Sequence, residues 1–180
     1  MYKESDKPNP INYYGKTKHK GENFIDTKKN IIVRTSIYGW NVVKERKSFS
    51  SWIIEELKNN RKINVFVDQF NSMMLVNDLA EALKELISSD FAGILNIASS
   101  ERISKYDYAV KLAEIFNFDK HLINPIENQQ VLGYEKRPLD VSLDISKAKE
   151  LNLKLLDIRH SLLRMKELEE GNYLKNFEHF

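Results

Sequence analysis

Tyr14 and Lys18 stand four residues apart in the string Tyr13-Tyr14-Gly15-Lys16-Thr17-Lys18. On a helix that spacing sets both side chains on one face, a turn apart. A free phenol holds its proton up to a pH of about 10, and a neighbouring ammonium stabilises the phenolate and eases release of the proton. Such a pair is fit to give a proton to a carbonyl oxygen while hydride arrives at the carbonyl carbon. Taken alone, Tyr-x-x-x-Lys is short and common. A solvated lysine-rich face with one packed tyrosine also satisfies it, and Lys16 and Lys20 read as that solvated face.

The elements that must position this pair follow from local signals. Pro10 can open a helix running to about Asp26. Its apolar residues are few (Ile11, Tyr14, Phe24, Ile25), so burial of a stripe does not explain the helix, whereas a site along one face does. The β-branched run Ile31 to Ser36 predicts a buried strand, and Ile63 to Val67 and Ile94 to Ala98 predict two more. Ser48 or Ser50 can cap a helix through Asn59, with Phe49, Trp52, Ile53 and Leu57 facing a core. Asn77 can cap a helix through Ser88, and Ser104 a helix through about Phe116. Asp68 to Met74 and His121 to Leu139 read as loops, with helices at Ile145–Leu151 and about Asp157–Glu170. Strands alternating with helices predict an α/β protein with a parallel sheet. Only three or four strands are visible, and the first element is a polar helix, so the chain reads as the second half of a larger fold.

Composition narrows the function classes. With 180 residues one domain is expected, large enough to bury a core without staples. Basic residues number 28 and acidic residues 26, too balanced for non-specific nucleic-acid binding. No apolar run approaches the roughly 20 residues of a membrane helix, and Met1 to Pro10 is not a signal peptide. Cysteine is absent, which excludes disulfides, thiol nucleophiles and thiolate metal sites. The four histidines have no metal-ligand spacing. A cytoplasmic protein without a metal is expected.

The residues around the pair carry a resemblance. Pro10-x-Asn12-x-Tyr14-Gly15-x-Thr17-Lys18, followed by Gly21-Glu22, resembles the active-site helix of extended short-chain dehydrogenase/reductases, and more narrowly of the dTDP-4-dehydrorhamnose reductase group. Four further segments agree in order: Arg34 to Gly39; Asp68-Gln69-Phe70-Asn71-Ser72 leading into Asn77 to Ala80; Gly93 to Ala98 with Ser104 to Ala113; and Lys136-Arg137-Pro138 with Leu143 to Lys147. The resemblance implies the C-terminal part of a Rossmann-type parallel sheet with a small interleaved substrate-binding subdomain. It implies catalysis by Tyr14 and Lys18, with Tyr14, Lys18, Thr35 and Ser36 on the NADP or NAD side and Ile37, Tyr38, Asp68, Gln69 and Arg137 on the substrate side. Arg137 suits a diphosphate, because a planar guanidinium grips phosphate in bidentate fashion; a surface ion pair fits it equally.

Under that resemblance, residues 1–36 would close a dinucleotide-binding domain, 37–76 and 101–170 would bind substrate, 77–100 would return to the sheet, and 171–180 would form a tail. The family's Gly-rich strand–turn–helix, where backbone meets pyrophosphate, has no counterpart among the six glycines. The chain is therefore expected to be a C-terminal portion that binds dinucleotide poorly and turns over little alone. Ile37 stands where relatives often carry an aromatic, and Met73-Met74 where Pro-Thr usually follows Asp-Gln. The implied function is NAD(P)H-dependent reduction of a 4-keto nucleotide sugar. Expected partners are that substrate and either a second copy of the chain or a complementing N-terminal fragment, with no nucleic acid and no membrane. The alternatives are a non-catalytic subunit resembling the regulatory β subunit of methionine adenosyltransferase, or a nucleotide-sugar epimerase or dehydratase.

Overall fold

The computed structural model describes residues 1–41, 47–127 and 137–171. An N-terminal loop leads into α1 (Tyr13–Glu22), β1 (Ile31–Arg34), β2 (Ile37–Tyr38), α2 (Phe49–Lys58), β3 (Ile63–Phe66), β4 (Phe70–Asn71), β5 (Met74–Leu75) and α3 (Val76–Ile87). Then come β6 (Gly93–Asn96), β7 (Ile103–Ser104), α4 (Lys105–Phe116), a 3-10 turn at Lys120–Leu122, β8 (Ile123–Ile126), α5 (Ser146–Glu150) and α6 (Ile158–Glu170). Strands pair as β1–β6, β2–β5 and β3–β8, all parallel, and β4–β7, antiparallel. The fold is α/β with parallel pairing, as expected.

The capping signals predicted by sequence act where residues offer a side-chain acceptor. Ser48 accepts from the Ser51 amide at the start of α2 and Ser104 from Asp107 at α4, each satisfying an orphan donor; Asp157, expected only as a helix start, caps α6 in the same way by accepting from the His160 amide. Helix α3 departs from expectation: it starts at Val76 after Leu75, without a side-chain cap, and Asn77 lies inside it. Asp68 to Met74 is not wholly loop, since it holds β4 and the start of β5. Ile123 to Ile126 is a strand rather than loop. Residues 128–136, most of the remaining predicted loop, and 172–180 of the predicted tail lie outside the described residues.

Two apolar clusters hold the chain together. The larger joins α2, α4 and α6 over β3, around Ile53, Leu57, Tyr108, Leu112, Leu162 and Met165. Inside it the Tyr108 hydroxyl shares a hydrogen bond with Ser50 at 2.7 Å, so a buried polar group is satisfied. Trp52 packs against this cluster and stacks on Phe49, the core role expected of it. The smaller cluster sits under α3, β6 and α5, around Leu79, Ala82, Leu86, Leu95 and Ala148. Met73 belongs to the first cluster and Met74, the first residue of β5, to the second, so adjacent adaptable side chains fill both cores.

Candidate active site

α1 opens at Asn12, whose side chain accepts from the Gly15 amide at 2.8 Å. Gly15 lets the preceding loop lie close: a Cβ there would stand 3.0 Å from the Pro10 side chain. None of the helix's residues is buried. Its C-terminal end is pinned instead by charge, because Arg34 at the end of β1 donates from Nε and Nη2 to the two carboxylate oxygens of Glu22, at 2.8 and 2.7 Å. Bidentate pairs of this kind are the strong ones. The Arg34 bond holds the Glu22 carboxyl below the usual range, and the same bond holds the Arg34 guanidinium above its own.

On this helix Tyr14 is 68% exposed. Lys18 lies on the same side, its ammonium 5.4 Å from the centre of the Tyr14 ring. Both line a cleft of about 890 Å³ that runs from α1 and the N-terminal loop to Gln69, Phe70, Asn71, Lys105 and Arg137. That volume suits a ligand of substantial size.

The far wall is built by backbone stapling. Phe70 donates its amide to the Leu139 carbonyl at 2.6 Å, and Val141 donates back to the Phe70 carbonyl at 3.1 Å. Arg102 donates to Asp140 at 2.9 Å while its guanidinium lies 3.6 Å from the Phe70 ring centre. The segment carrying Arg137 and Pro138 is thereby held against β4. Lys105, first residue of α4, completes this wall. Its amide donates to the Gln69 carbonyl at 2.9 Å and its ammonium to Gln69 Oε1 at 2.6 Å. Burial, followed by the charge of Arg137, pushes the Lys105 ammonium below its ordinary range.

Of the residues expected at the site, Tyr14, Lys18, Gln69 and Arg137 line this one cleft. Thr35, Ser36, Ile37, Tyr38 and Asp68 are not among its lining residues. Ser36 sits behind the wall, accepting from Asn71 Nδ2 at 3.0 Å, and its carbonyl accepts from the Met74 amide. Thr35 and Ile37 are exposed elsewhere. Tyr38 is 3% exposed and packs edge-on against Tyr108 at 5.1 Å. Burial raises its hydroxyl well beyond the ordinary phenol range. Lys105, Phe70 and the Glu22–Arg34 clamp escaped the sequence reading. For Lys105 the available signal was a cation directly after a helix cap, where the helix dipole disfavours positive charge.

The RmlD substrate binding domain model matches residues 1–169. The chain belongs to that family. A dTDP-4-dehydrorhamnose reductase from Bacillus anthracis, solved in complex with NADP, superposes with a TM-score of 0.82 at 25% identity, covering 92% of this chain and 59% of that one. A hypothetical dTDP-4-dehydrorhamnose reductase from Sulfolobus tokodaii gives a TM-score of 0.74 at 34% identity, covering 87% of this chain and 55% of that one. Methionine adenosyltransferase 2 subunit beta from Bos taurus is 27% identical over 161 residues, 84% of this chain and 48% of the relative. The chain spans about half the length of the curated relatives it matches. The resemblance to extended short-chain reductases, and to the dTDP-4-dehydrorhamnose reductase group within them, is thus borne out.

Proposed function

We propose that this chain supplies the substrate-binding half of a nucleotide-sugar ketone reductase, with Tyr14 as the proton donor. The observation that carries the reading is the meeting of the Tyr14–Lys18 pair and Arg137 on the walls of one cleft. Lys3, Lys7, Lys18, Lys105 and Arg137 give that cleft an excess of cations, which suits a ligand carrying phosphates.

Tyr14 fits the donor role because its exposure leaves the hydroxyl open to a bound ketone, and Lys18 shares its helix face, with the ammonium 5.4 Å from the Tyr14 ring centre. Arg137 fits the diphosphate, as a guanidinium that can meet two phosphate oxygens at once. Gln69, tied to Lys105, presents its amide to the sugar region. The described residues fit the reactive end of a nicotinamide cofactor, where a hydroxyl and an ammonium line an open cleft. They offer no cradle for its pyrophosphate, because none of the six glycines falls in a Gly-rich turn spacing. NADPH or NADH, when bound, supplies the hydride. Turnover on this reading requires a dinucleotide-binding segment beside the 180 residues, on the same polypeptide or on a complementing one, and a second copy of this chain is not needed for the cleft. A cytoplasmic setting goes with such a substrate and with the absence of cysteine; among the described residues no helix is long and apolar enough to cross a membrane.

The test joins this chain to a dinucleotide-binding segment and follows NADPH oxidation with dTDP-4-keto-6-deoxy-L-mannose. A measurable rate, abolished by Tyr14→Phe while substrate binding persists, supports the reading. Absence of a rate, or a rate indifferent to Tyr14→Phe, overturns it. The similarity to the bovine β subunit favours a second reading, a binding subunit without turnover. On that reading a specific protein co-purifies with the chain, and Tyr14→Phe leaves the association intact.

A further inference from the structure

We propose that Lys105 is a second contact for the ligand's phosphates, acting with Arg137, and that the ligand-free protein carries this lysine at a loss of stability. The inference rests on the nucleotide-sugar reading and adds a residue, and a trade-off, to it.

Three features make Lys105 a poor structural residue. It occupies the first position of α4, where the positive end of the helix dipole disfavours a cation. It is half-buried, so part of its hydration is gone, and the Phe49 and Phe66 rings, with centres 5.8 and 5.9 Å from its ammonium, return only a part of that loss. The charge that acts on it is Arg137's, of the same sign. Among the described residues neither Lys105 nor Arg137 forms an ion pair with a carboxylate. An ammonium has three donors and no acceptor, and Gln69 Oε1 takes one of them.

Both cations face the same cavity from different segments, α4 and the stretch stapled to β4. A monoanion would neutralise one of them, whereas a diphosphate neutralises both. The chemistry divides sensibly, with a planar fork for two oxygens of one phosphate and a compact point charge for the other. The Phe49 and Phe66 rings and the bond to Gln69 already hold its ammonium in the free protein, so less rotamer freedom is lost on binding. A site that accumulates like charge in the free protein is destabilised there and relieved by ligand, the usual trade of stability for function. A purely structural Lys105, tethering the Gln69 loop, makes the opposite prediction for the free protein.

The experiment uses the full 180-residue chain, with dTDP-glucose and inorganic pyrophosphate as probes, titrated calorimetrically, and thermal melts without ligand. Lys105→Met is expected to bind both probes about tenfold to a hundredfold more weakly, the range for a hydrogen bond to a charged group. Its ligand-free melting point is expected to rise by about 2–4 °C, because the methionine sulfur suits the flanking rings. Lys105→Arg, keeping the charge, retains most of the affinity. Should methionine fail to fold there, the neutral Lys105→Gln carries the same comparison. Equal affinity in wild type and Lys105→Met overturns the inference alone, as does a lowered ligand-free melting point, which assigns Lys105 to loop tethering. Failure of the wild-type chain to bind either probe overturns the nucleotide-sugar reading and the inference together.

Discussion

Helices α1 and α4 both contribute to the lining of one cleft and are built in opposite ways. α4 buries Tyr108, Ala109, Leu112, Ala113, Ile115 and Phe116 and offers the cleft little beyond its first residue. α1 buries nothing, and gives the cleft Tyr14, Gly15, Lys18, His19 and Glu22. One helix is held by hydrocarbon and lends a single charge. The other is held by a cap and an ion pair and carries the proposed proton donor. The contrast teaches that the chain's apolar core and its proposed proton donor reside on separate elements, with Lys105 the one residue of α4 that belongs to the cleft.

Substitutions sharpen or break that contrast. The largest effect is expected from Leu112→Ala on α4, where a fully buried side chain leaves a cavity; urea denaturation should show a loss of about 2–5 kcal/mol. Next is Glu22→Gln, which removes the clamp between α1 and β1 and should lower stability by about 1 kcal/mol. Its pH dependence has a definite sign. Because Arg34 holds the Glu22 carboxyl below its ordinary value of 4.5, the stabilisation is complete above that value and is lost as pH falls through the lowered one. The stability difference between wild type and Glu22→Gln should therefore shrink as pH falls below about 4. Smallest is Tyr14→Phe, an exposed position expected to change stability by less than about 0.5 kcal/mol, although on the proposed reading it should abolish turnover once a dinucleotide-binding segment is joined. A Tyr14→Phe loss comparable to that of Leu112→Ala would break the separation between the two helices.

Much of this arrangement was legible in the residues. α4 announced itself through the Ser104 cap and the inward stripe of Tyr108, Leu112, Ile115 and Phe116, because a full helix repeats its signal over several turns. α1 was legible for the opposite reason, since a helix too polar to bury anything needs another purpose. The two-residue strands β2, β4, β5 and β7 were not legible, as two residues cannot display a period. Among them, β2 turns Tyr38 into the core beside Tyr108. Pro125 masked β8, because proline argues against a strand interior and is tolerated at an edge, the position β8 takes beside β3. At α3, Asn77 looked like a cap, yet the helix begins earlier, and the next residue, Asp78, is buried in a cluster with Ser161 and Arg164. That long-range partnership leaves no local trace. Lys105 escaped notice because its meaning depends on Arg137, 32 positions away in the sequence.

The central claim is that one cleft brings Tyr14 to the sugar and Arg137 to the diphosphate of the same ligand. Titrating the selectively 13C-tyrosine- and 15N-arginine-labelled chain with dTDP-glucose tests it most directly by NMR. The account predicts that the ring signals of Tyr14 and the guanidinium signals of Arg137 shift together along one saturable isotherm, while those of Tyr38 and Tyr108 stay in place. Shifts at Arg137 without any at Tyr14, or at neither, would contradict it.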